Sequence, residues 1–212
     1  MEQEVLLSTT YFGPVQWYQK LHRAGKVVLE QHENFQKQTY RNRCNIATAN
    51  GIQSLTVPVE RDKNARFIEG DIRNIRISDH GNWRHLHWNA LLSAYGESAF
   101  FEFYADDLRP FFEKRWEFLF DFNMEITLKM CGLLDIEPNI DISKEYYRTS
   151  DSEAHASKRD YRDAIRPKHP LPDDDFKPRP YYQVYQQKHG FLPNLSILDL
   201  LFNMGPEGIF LL

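Results

Sequence analysis

The start of the chain constrains the fold more than any other feature, because two apolar runs flank one amphipathic run. Residues 5–12 begin with Val-Leu-Leu and predict a buried strand. Pro14 suits the first turn of a helix, and apolar residues then recur at helical spacing up to Gly25. Residues 26–31 predict a second strand. A strand, a short helix and a strand in about 30 residues form a βαβ unit, which favours parallel pairing.

A hairpin is predicted next. Its turn is Asn50-Gly51, the strongest short turn signal in the sequence, and its arms are residues 38–47 and 52–60. Alternating apolar residues over 71–77 predict a further, irregular strand.

Helices are predicted after the hairpin. Asn82 can cap a helix over 83–95 that Gly96 ends, and Phe- and Leu-rich runs predict helices at about 106–120 and at 121–133. Within the first helix we expect an apolar stripe that includes Trp88 and Leu92, with His87 at the surface.

A short apolar helix is predicted near residue 200, with Asn194 as its N-cap and Gly205 as its C-cap. Asp199 lies between leucines in this helix. A buried carboxylate is costly without a partner, so another part of the chain must pair with it.

These elements together predict an α/β fold. We expect a mixed sheet from residues 5–77, covered by helices from 83–133 and by the C-terminal helix, in one domain over 1–212. Residues 148–180 are charged and proline-rich, and the sequence leaves open whether they form a long loop, an ordered lid or a linker.

The composition limits which partners the protein can bind and where in the cell it is expected. The chain has 26 Lys and Arg against 30 Asp and Glu, a net charge of −4 that disfavours nucleic-acid binding. We expect no signal peptide and no membrane span, and therefore a cytoplasmic protein. Cys44 and Cys131 show no CxxC spacing and are predicted to be reduced core residues. The sequence leaves the oligomeric state open.

Arg84 and His85 are the first candidate site residues. Both fall in the first turn of the helix over 83–95, where free N–H groups and the helix dipole already favour an anion. The functional interpretation is that Arg84 binds a phosphate or carboxylate and His85 acts as acid or base. The alternative is an Arg whose stem packs while its head reaches water, beside a His satisfied by the backbone.

The hairpin offers a second set. Arg41 and Arg43 are predicted on its outer face, where two guanidinium groups at i and i+2 can bind an anion, although an ordinary polar sheet face is the commoner case. Asn42 falls on the core face, where it either fixes the backbone of the loop at Gly13 or reaches a ligand. Tyr11 lies in the loop after the first strand and is a second candidate for orienting a ligand.

Asp199 completes the candidates, either as a catalytic base or as a structural partner of a buried Arg or Tyr. The eight histidines show no HxxxH or HExxH spacing, so no metal site is predicted. No glycine-rich phosphate loop or GxSxG motif is present, and we expect no cofactor.

Several runs resemble the WbqC-like family of bacterial proteins over nearly the whole chain. They are Tyr-Phe-Gly-Pro at 11–14, Trp-Tyr at 17–18, Arg-Asn-Arg-Cys-Asn-Ile at 41–46, Leu-Thr-Val-Pro-Val at 55–59, and the leucine-rich run at 191–203. The resemblance implies a place in bacterial surface-polysaccharide (O-antigen) synthesis, with transfer of an amino-acid group such as glycine onto a sugar as the suggested activity. It carries no catalytic residues over to this sequence.

We therefore expect a group-transfer enzyme with a small anionic or sugar-linked substrate. Two alternatives stay open. One is a non-catalytic binding or assembly protein of the same pathway. The other is a nucleotide-dependent activating enzyme, by fold analogy alone. An enzyme requires several of the candidate side chains to converge in one concave pocket.

Overall fold

The fold combines a parallel sheet, a separate hairpin and a layer of helices, in a computed structural model of which we describe residues 4–60, 71–148 and 158–212. The strands are β1 (Glu4–Ser8), β2 (Lys26–Glu30), β3 (Arg43–Thr48), β4 (Gly51–Thr56), β5 (Ile140–Ile142) and β6 (Lys158–Asp160). The helices are α1 (Val15–Arg23), α2 (Trp83–Tyr95), α3 (Phe101–Leu108), α4 (Pro110–Glu113), α5 (Leu119–Leu133), α6 (Gln186–His189) and α7 (Ile197–Met204). Short 3-10 helices cover Ile72–Asn74, His80–Asn82 and Gly205–Leu211.

The parallel sheet has the strand order β5-β2-β1-β6. Strand β1 pairs with β2 from Glu4 opposite Lys26 to Ser8 opposite Glu30, which confirms the parallel pairing predicted for the βαβ unit. Strands β3 and β4 form a separate antiparallel hairpin. The predicted α/β class with a mixed set of strands is confirmed.

The two central strands could be predicted from their sequences, whereas the two edge strands could not. Strands β1 and β2 are apolar and almost fully buried, as central parallel strands are when both faces are covered. Strands β5 and β6 have only three residues each, Ile-Asp-Ile and Lys-Arg-Asp, and the sequence prediction missed both. Because β6 lies within residues 158–160, this part of the region predicted as a loop, lid or linker belongs to the main sheet.

The hairpin turn is displaced by one residue from its predicted position. Ala49 and Asn50 form the turn, Thr48 pairs with Gly51, and the Thr48 hydroxyl donates to the Gly51 carbonyl at 2.8 Å. Gly51 has a φ of +99°, a conformation that residues with a side chain rarely adopt.

Two helix and strand predictions are wrong. Residues 71–77 contain a 3-10 turn and isolated bridges instead of a strand. Helix α3 begins at Phe101, ahead of the predicted start, and the helices then break after Glu113 and resume at Leu119. The chain between the two helices pairs with residues 75–77. The Ile77 N–H donates to the Glu117 carbonyl, and the Leu119 N–H donates to the Ile75 carbonyl.

Both asparagine N-caps are also wrong. Asn82 has a φ of +48° and makes no side-chain cap bond to α2. Ser196, and not Asn194, caps α7, with its hydroxyl accepting from the Leu198 N–H at 3.3 Å. The Asn194 amide oxygen instead accepts from the Gln16 N–H at 2.9 Å and so ties the C-terminal run to α1. Gly96 and Gly205 end their helices as predicted.

Helix α7 lies in the centre of the hydrophobic core. Its residues from Ile197 to Asn203 are all buried, and the Ser196 hydroxyl donates to the Phe12 carbonyl at 2.7 Å. Helix α7 packs against α1, α3 and β3 and so joins three parts of the fold. Among the described helices, none combines the length and the apolar character that a membrane crossing requires.

Leu201→Ala should lower the free energy of unfolding by about 3 kcal/mol, because the side chain is fully buried and its removal leaves a cavity. Leu128→Ala is the matched control, since Leu128 lies in helix α5 and is 52% exposed. Urea denaturation followed by circular dichroism measures both. Equal midpoints for the two variants would contradict a central position for α7.

Candidate functional site

The carboxyl ends of the parallel strands form one edge of the sheet, and polar side chains cluster there. Ser8 ends β1, Glu30 ends β2, Asp160 ends β6, and Ser143 directly follows β5. Ser8, Glu30 and Ser143 are buried. In open α/β sheets, ligands bind outside this edge.

A buried ion pair lies where the chain leaves β2. Arg41 donates from Nε to Glu33 Oε1 at 2.7 Å and from Nη2 to Glu33 Oε2 at 2.5 Å. Ser8 Oγ accepts from Arg41 Nη2 at 2.7 Å and donates to Glu33 Oε2 at 3.0 Å. The predicted position of Arg41 on the outer hairpin face is wrong, because β3 begins only at Arg43. With these donors committed to Glu33 and Ser8, Arg41 is buried, and anion binding by Arg41 gains no support from its contacts and stays a prediction.

A second buried carboxylate, that of Glu30 in β2, makes hydrogen bonds to residues that follow β5 and β6. Its carboxylate accepts from Ser143 Oγ at 2.7 Å, from the N–H groups of His32 and Tyr147 at 2.9 Å, and from Arg162 Nη1 at 3.3 Å. Glu30 is fully buried, so these donors replace the water that it loses. The carboxyl edge is therefore fixed by hydrogen bonds and closed to bulk water at Glu30.

An open cleft of about 710 Å³ is lined by Asn42 and Arg43, which directly follow Arg41 of the buried ion pair. Its walls come from the segment after β2, from the hairpin and from the turn before α2. Its lining residues are Phe35, Lys37, Gln38, Asn42, Arg43, Thr56, Val57, Pro58, Val59, Glu60, Ser78 and His80. Two predicted site residues, Asn42 and Arg43, thus lie in the cleft.

Among the described residues that line the cleft, positive charge exceeds negative charge. Lys37 and Arg43 are cationic, and Glu60 is the one carboxylate in this described set. Arg43 uses Nε to donate to Thr56 Oγ1 at 3.1 Å, which holds its guanidinium group along the hairpin. This arrangement favours an anionic ligand.

Asn42 stabilises the hairpin at the cleft wall. Its Nδ2 donates to the Val57 carbonyl at 2.8 Å, and the Val57 N–H donates to the Asn42 carbonyl at 2.8 Å. The structure shows that Asn42 fixes backbone, but the predicted location is wrong: the amide bonds to Val57 of the hairpin and not to the loop at Gly13. Contact of Asn42 with a ligand stays a prediction.

Arg84 and His85 do not converge with the other candidates. Arg84 donates from Nη1 to Asp79 Oδ1 at 2.6 Å and lies over the Trp83 ring. The hydrogen bond from Arg84 lowers the pKa of Asp79. Within the described part of the chain, Arg84 Nε and Nη2 have no hydrogen-bond partner, which keeps anion binding by Arg84 as a prediction. His85 is exposed, and its ring nitrogen lies 2.9 Å from the amide nitrogen of Asn89 on the same helix.

Tyr11 is fully buried, and its hydroxyl lies 2.9 Å from His87 Nδ1. His87 was predicted at the surface, and this is wrong. It shares a face of α2 with Trp83 and Leu91 at i, i+4 spacing, a stripe that the sequence contained. Burial lowers the pKa of His87 to about 4, although a backbone hydrogen bond with Thr56 acts to raise it.

The prediction for Leu92 is also wrong. It was expected in the buried stripe of helix α2, but it is 51% exposed.

Asp199 is paired, as its alternative interpretation proposed. Oδ1 accepts from the Tyr95 hydroxyl at 2.9 Å, and Oδ2 accepts from the Tyr181 hydroxyl at 2.7 Å and from Gln183 Nε2 at 2.8 Å. Burial raises the pKa of Asp199, while the three hydrogen bonds act in the opposite direction. The carboxylate is fully buried and does not line the cleft, so the geometry gives no direct support to a catalytic role.

Thiol and metal chemistry find little support in the described residues. Cys44 and Cys131 are free and buried, and burial raises the pKa of both, that of Cys131 to about 12. A thiol with a raised pKa is a poor nucleophile near neutral pH. Over residues 4–60, 71–148 and 158–212 we find no group of three or more His, Cys, Asp or Glu that could hold a metal ion.

Comparison with known proteins identifies the family. The sequence profile of the WbqC-like protein family matches residues 9–210. The chain belongs to this family. A curated relative of this WbqC-like chain is the uncharacterized protein Rv1507c of Mycobacterium tuberculosis (strain ATCC 25618 / H37Rv). It is 27% identical over 225 residues, which cover 98% of this chain and 96% of the relative. No solved structure matches the chain significantly.

The sequence interpretation missed two side chains of the cleft in this WbqC-like chain. Lys37 and His80 both lie outside helices and strands with a periodic pattern, in an irregular segment and in a 3-10 turn. Charged residues in irregular segments are ordinary surface residues in most proteins. No signal in the sequence places these two beside Arg43.

Burial of neutral His87 should make stability depend on pH. Its pKa is about 4 in the folded protein and about 6.5 when unfolded. The unfolded state therefore binds more protons between these values, and the free energy of unfolding falls as the pH drops from 6.5 to 4, by up to about 3 kcal/mol. The measurement is urea denaturation at several pH values.

The His87→Gln variant removes this titrating group and should show a smaller loss over the same pH range. His85→Gln on the exposed face of α2 is the control and should match wild type. A wild-type stability profile that is no steeper than that of His87→Gln would contradict a buried, neutral His87.

Proposed function

We propose that the chain is a group-transfer enzyme that binds an anionic, sugar-linked small molecule of bacterial surface-polysaccharide synthesis in the cleft. The observation that carries the proposal is the convergence of Lys37, Arg43 and His80 in one concave site. The pathway rests on the family resemblance, and the ligand class rests on the charge of the cleft.

The lining of the cleft fits a ligand with a charged part and a less polar part. Cationic side chains supply attraction for phosphate or carboxylate oxygens. Pro58 and Val59, both partly exposed, give an apolar wall on which a sugar or base can pack. This combination supports a sugar joined to an anionic leaving group.

Transfer in this site requires a proton acceptor and stabilisation of a departing anion. In the proposed step His80 takes the proton from an acceptor hydroxyl or amine as that atom bonds to the transferred group. The leaving group departs with the electron pair of the broken bond, and its charge is stabilised by Lys37 and Arg43. His80 thereby takes the acid–base role that the sequence assigned to His85.

A non-catalytic binding protein is the second candidate, and one observation favours it. Arg41, Arg84, His85 and Asp199 have separate surroundings, so of the predicted charged or catalytic side chains only Arg43 lines the cleft, beside the amide of Asn42. A binding protein needs the cationic cleft but no acid or base. Turnover, and not binding, separates the two candidates.

The test begins with a thermal-shift screen of nucleotide sugars, nucleotides and amino acids, because a ligand of the folded state raises the melting temperature. Arg43→Ala should weaken binding of an anionic hit by about tenfold or more, since hydrogen bonds to charged groups contribute about 1.5–3 kcal/mol. Lys114→Ala, which removes an exposed lysine that does not line the cleft, should bind like wild type.

His80→Ala separates the enzyme from the binding protein. If the proposal is right, product formation from the screened hit and an acceptor sugar should fall far more than the affinity. Binding that is unaffected by Arg43→Ala would place the ligand elsewhere. Tight binding without turnover in wild type, over a panel of acceptors, would favour the binding protein.

A further inference from the structure

Residues 164–171 form a loop closed on itself beside the cleft. The Leu171 N–H donates to the Ala164 carbonyl at 3.2 Å and joins the two ends of the loop. Ala164 and Ile165 are buried, whereas Lys168 to Leu171 are exposed. The loop therefore has an anchored base and a solvent-facing tip.

Buried ion pairs fix the chain on both sides of this loop. On one side Arg162 contacts Glu30 and also donates from Nη2 to Asp160 Oδ2 at 2.7 Å. On the other side Asp173 accepts from Lys20 Nζ at 2.7 Å and from Gln16 Nε2 at 2.8 Å. The side chains of Lys20 and Asp173 are 6% and 5% exposed, so this pair is well screened from water.

The tip of the loop carries the Lys168 ammonium group on a backbone that two prolines restrict. Pro167 and Pro170 flank Lys168 and His169, and proline restricts φ at both positions. Lys168 donates from Nζ to Gln38 Oε1 at 3.2 Å, and Gln38 lines the cleft. The loop thus brings an ammonium group to the rim of the cleft from a distant part of the sequence.

We propose that Lys168 is a further ligand-binding residue of the cleft and that the loop over 164–171 is a cationic flap for a diphosphate-linked ligand. Lys168 exchanges its bond with the neutral Gln38 amide for one with a phosphate oxygen, and charge-assisted hydrogen bonds are the stronger kind. The inference rests on the proposed function and narrows its substrate class.

The diphosphate follows from how the cationic groups are distributed. Lys37, Arg43 and Lys168 come from three separate segments around the cleft. One carboxylate has two oxygens and suits one bidentate Arg, whereas a diphosphate offers oxygens and charge to several cations at once.

The test uses inorganic pyrophosphate as the probe and isothermal titration calorimetry on the full chain. Lys168→Ala should weaken pyrophosphate binding by about tenfold, the loss expected for a hydrogen bond to a charged group. Lys168→Arg should stay close to wild type because it keeps the charge. Lys177→Ala is the matched control, since Lys177 is exposed and lies beyond the anchor at Asp173.

Trypsin gives a second readout that a purely structural lysine would not change. Within the loop the bond after Lys168 is open to trypsin, whereas the bond after Arg166 precedes proline and resists it. Pyrophosphate should slow cleavage after Lys168 in wild type. In Arg43→Ala the same concentration should protect less.

The outcomes separate this inference from the function on which it rests. If Arg43→Ala weakens binding but Lys168→Ala binds like Lys177→Ala, the flap is wrong while the cleft stays the binding site. If wild type does not bind pyrophosphate, or Arg43→Ala binds it unchanged, both the flap and the anion-binding cleft are wrong.

Discussion

The buried pair of Arg41 and Glu33 is the interaction on which the rest of the structure depends. It joins the end of β1, through Ser8, to the segment that leaves β2. The Asn123 amide donates to the Arg41 carbonyl at 2.8 Å and ties helix α5 to the same point. Two buried charges are stable only with close geometry and satisfied hydrogen bonds, and both conditions hold here.

The cleft follows from this pair because Arg41 precedes Asn42 and Arg43 in the chain. Once Arg41 is held beneath the sheet edge, Asn42 bonds to Val57 and Arg43 begins β3 along the cleft wall. A rigid inner layer of paired charges thus supports an outer layer of cationic side chains that remain accessible. Binding sites generally need this support, because side chains that are held loosely bind their substrate with lower affinity and specificity.

The fold could be predicted from the sequence where the apolar residues recur with a strong period. It could not be predicted where the strands are short and contain charged residues. The βαβ unit, the hairpin and α7 follow from apolar patterns and turn residues. Strands β5 and β6 could not be predicted in this way. Each is an edge strand of only three residues that includes charged side chains, and such a sequence is also typical of a loop. For the site, Arg43 was predictable from its hairpin position, whereas the burial of Arg41 depends on Glu33, a pairing that no local pattern encodes.

A double-mutant cycle on the free energy of unfolding tests the central pair most directly. Glu33→Gln and Arg41→Met each leave a buried charge without its partner and should each cost about 3–5 kcal/mol, whereas the double variant removes both charges. The account predicts that the double variant loses less than the sum of the two, by more than about 1 kcal/mol. Additive losses would contradict the claim that this pair holds the cleft in place.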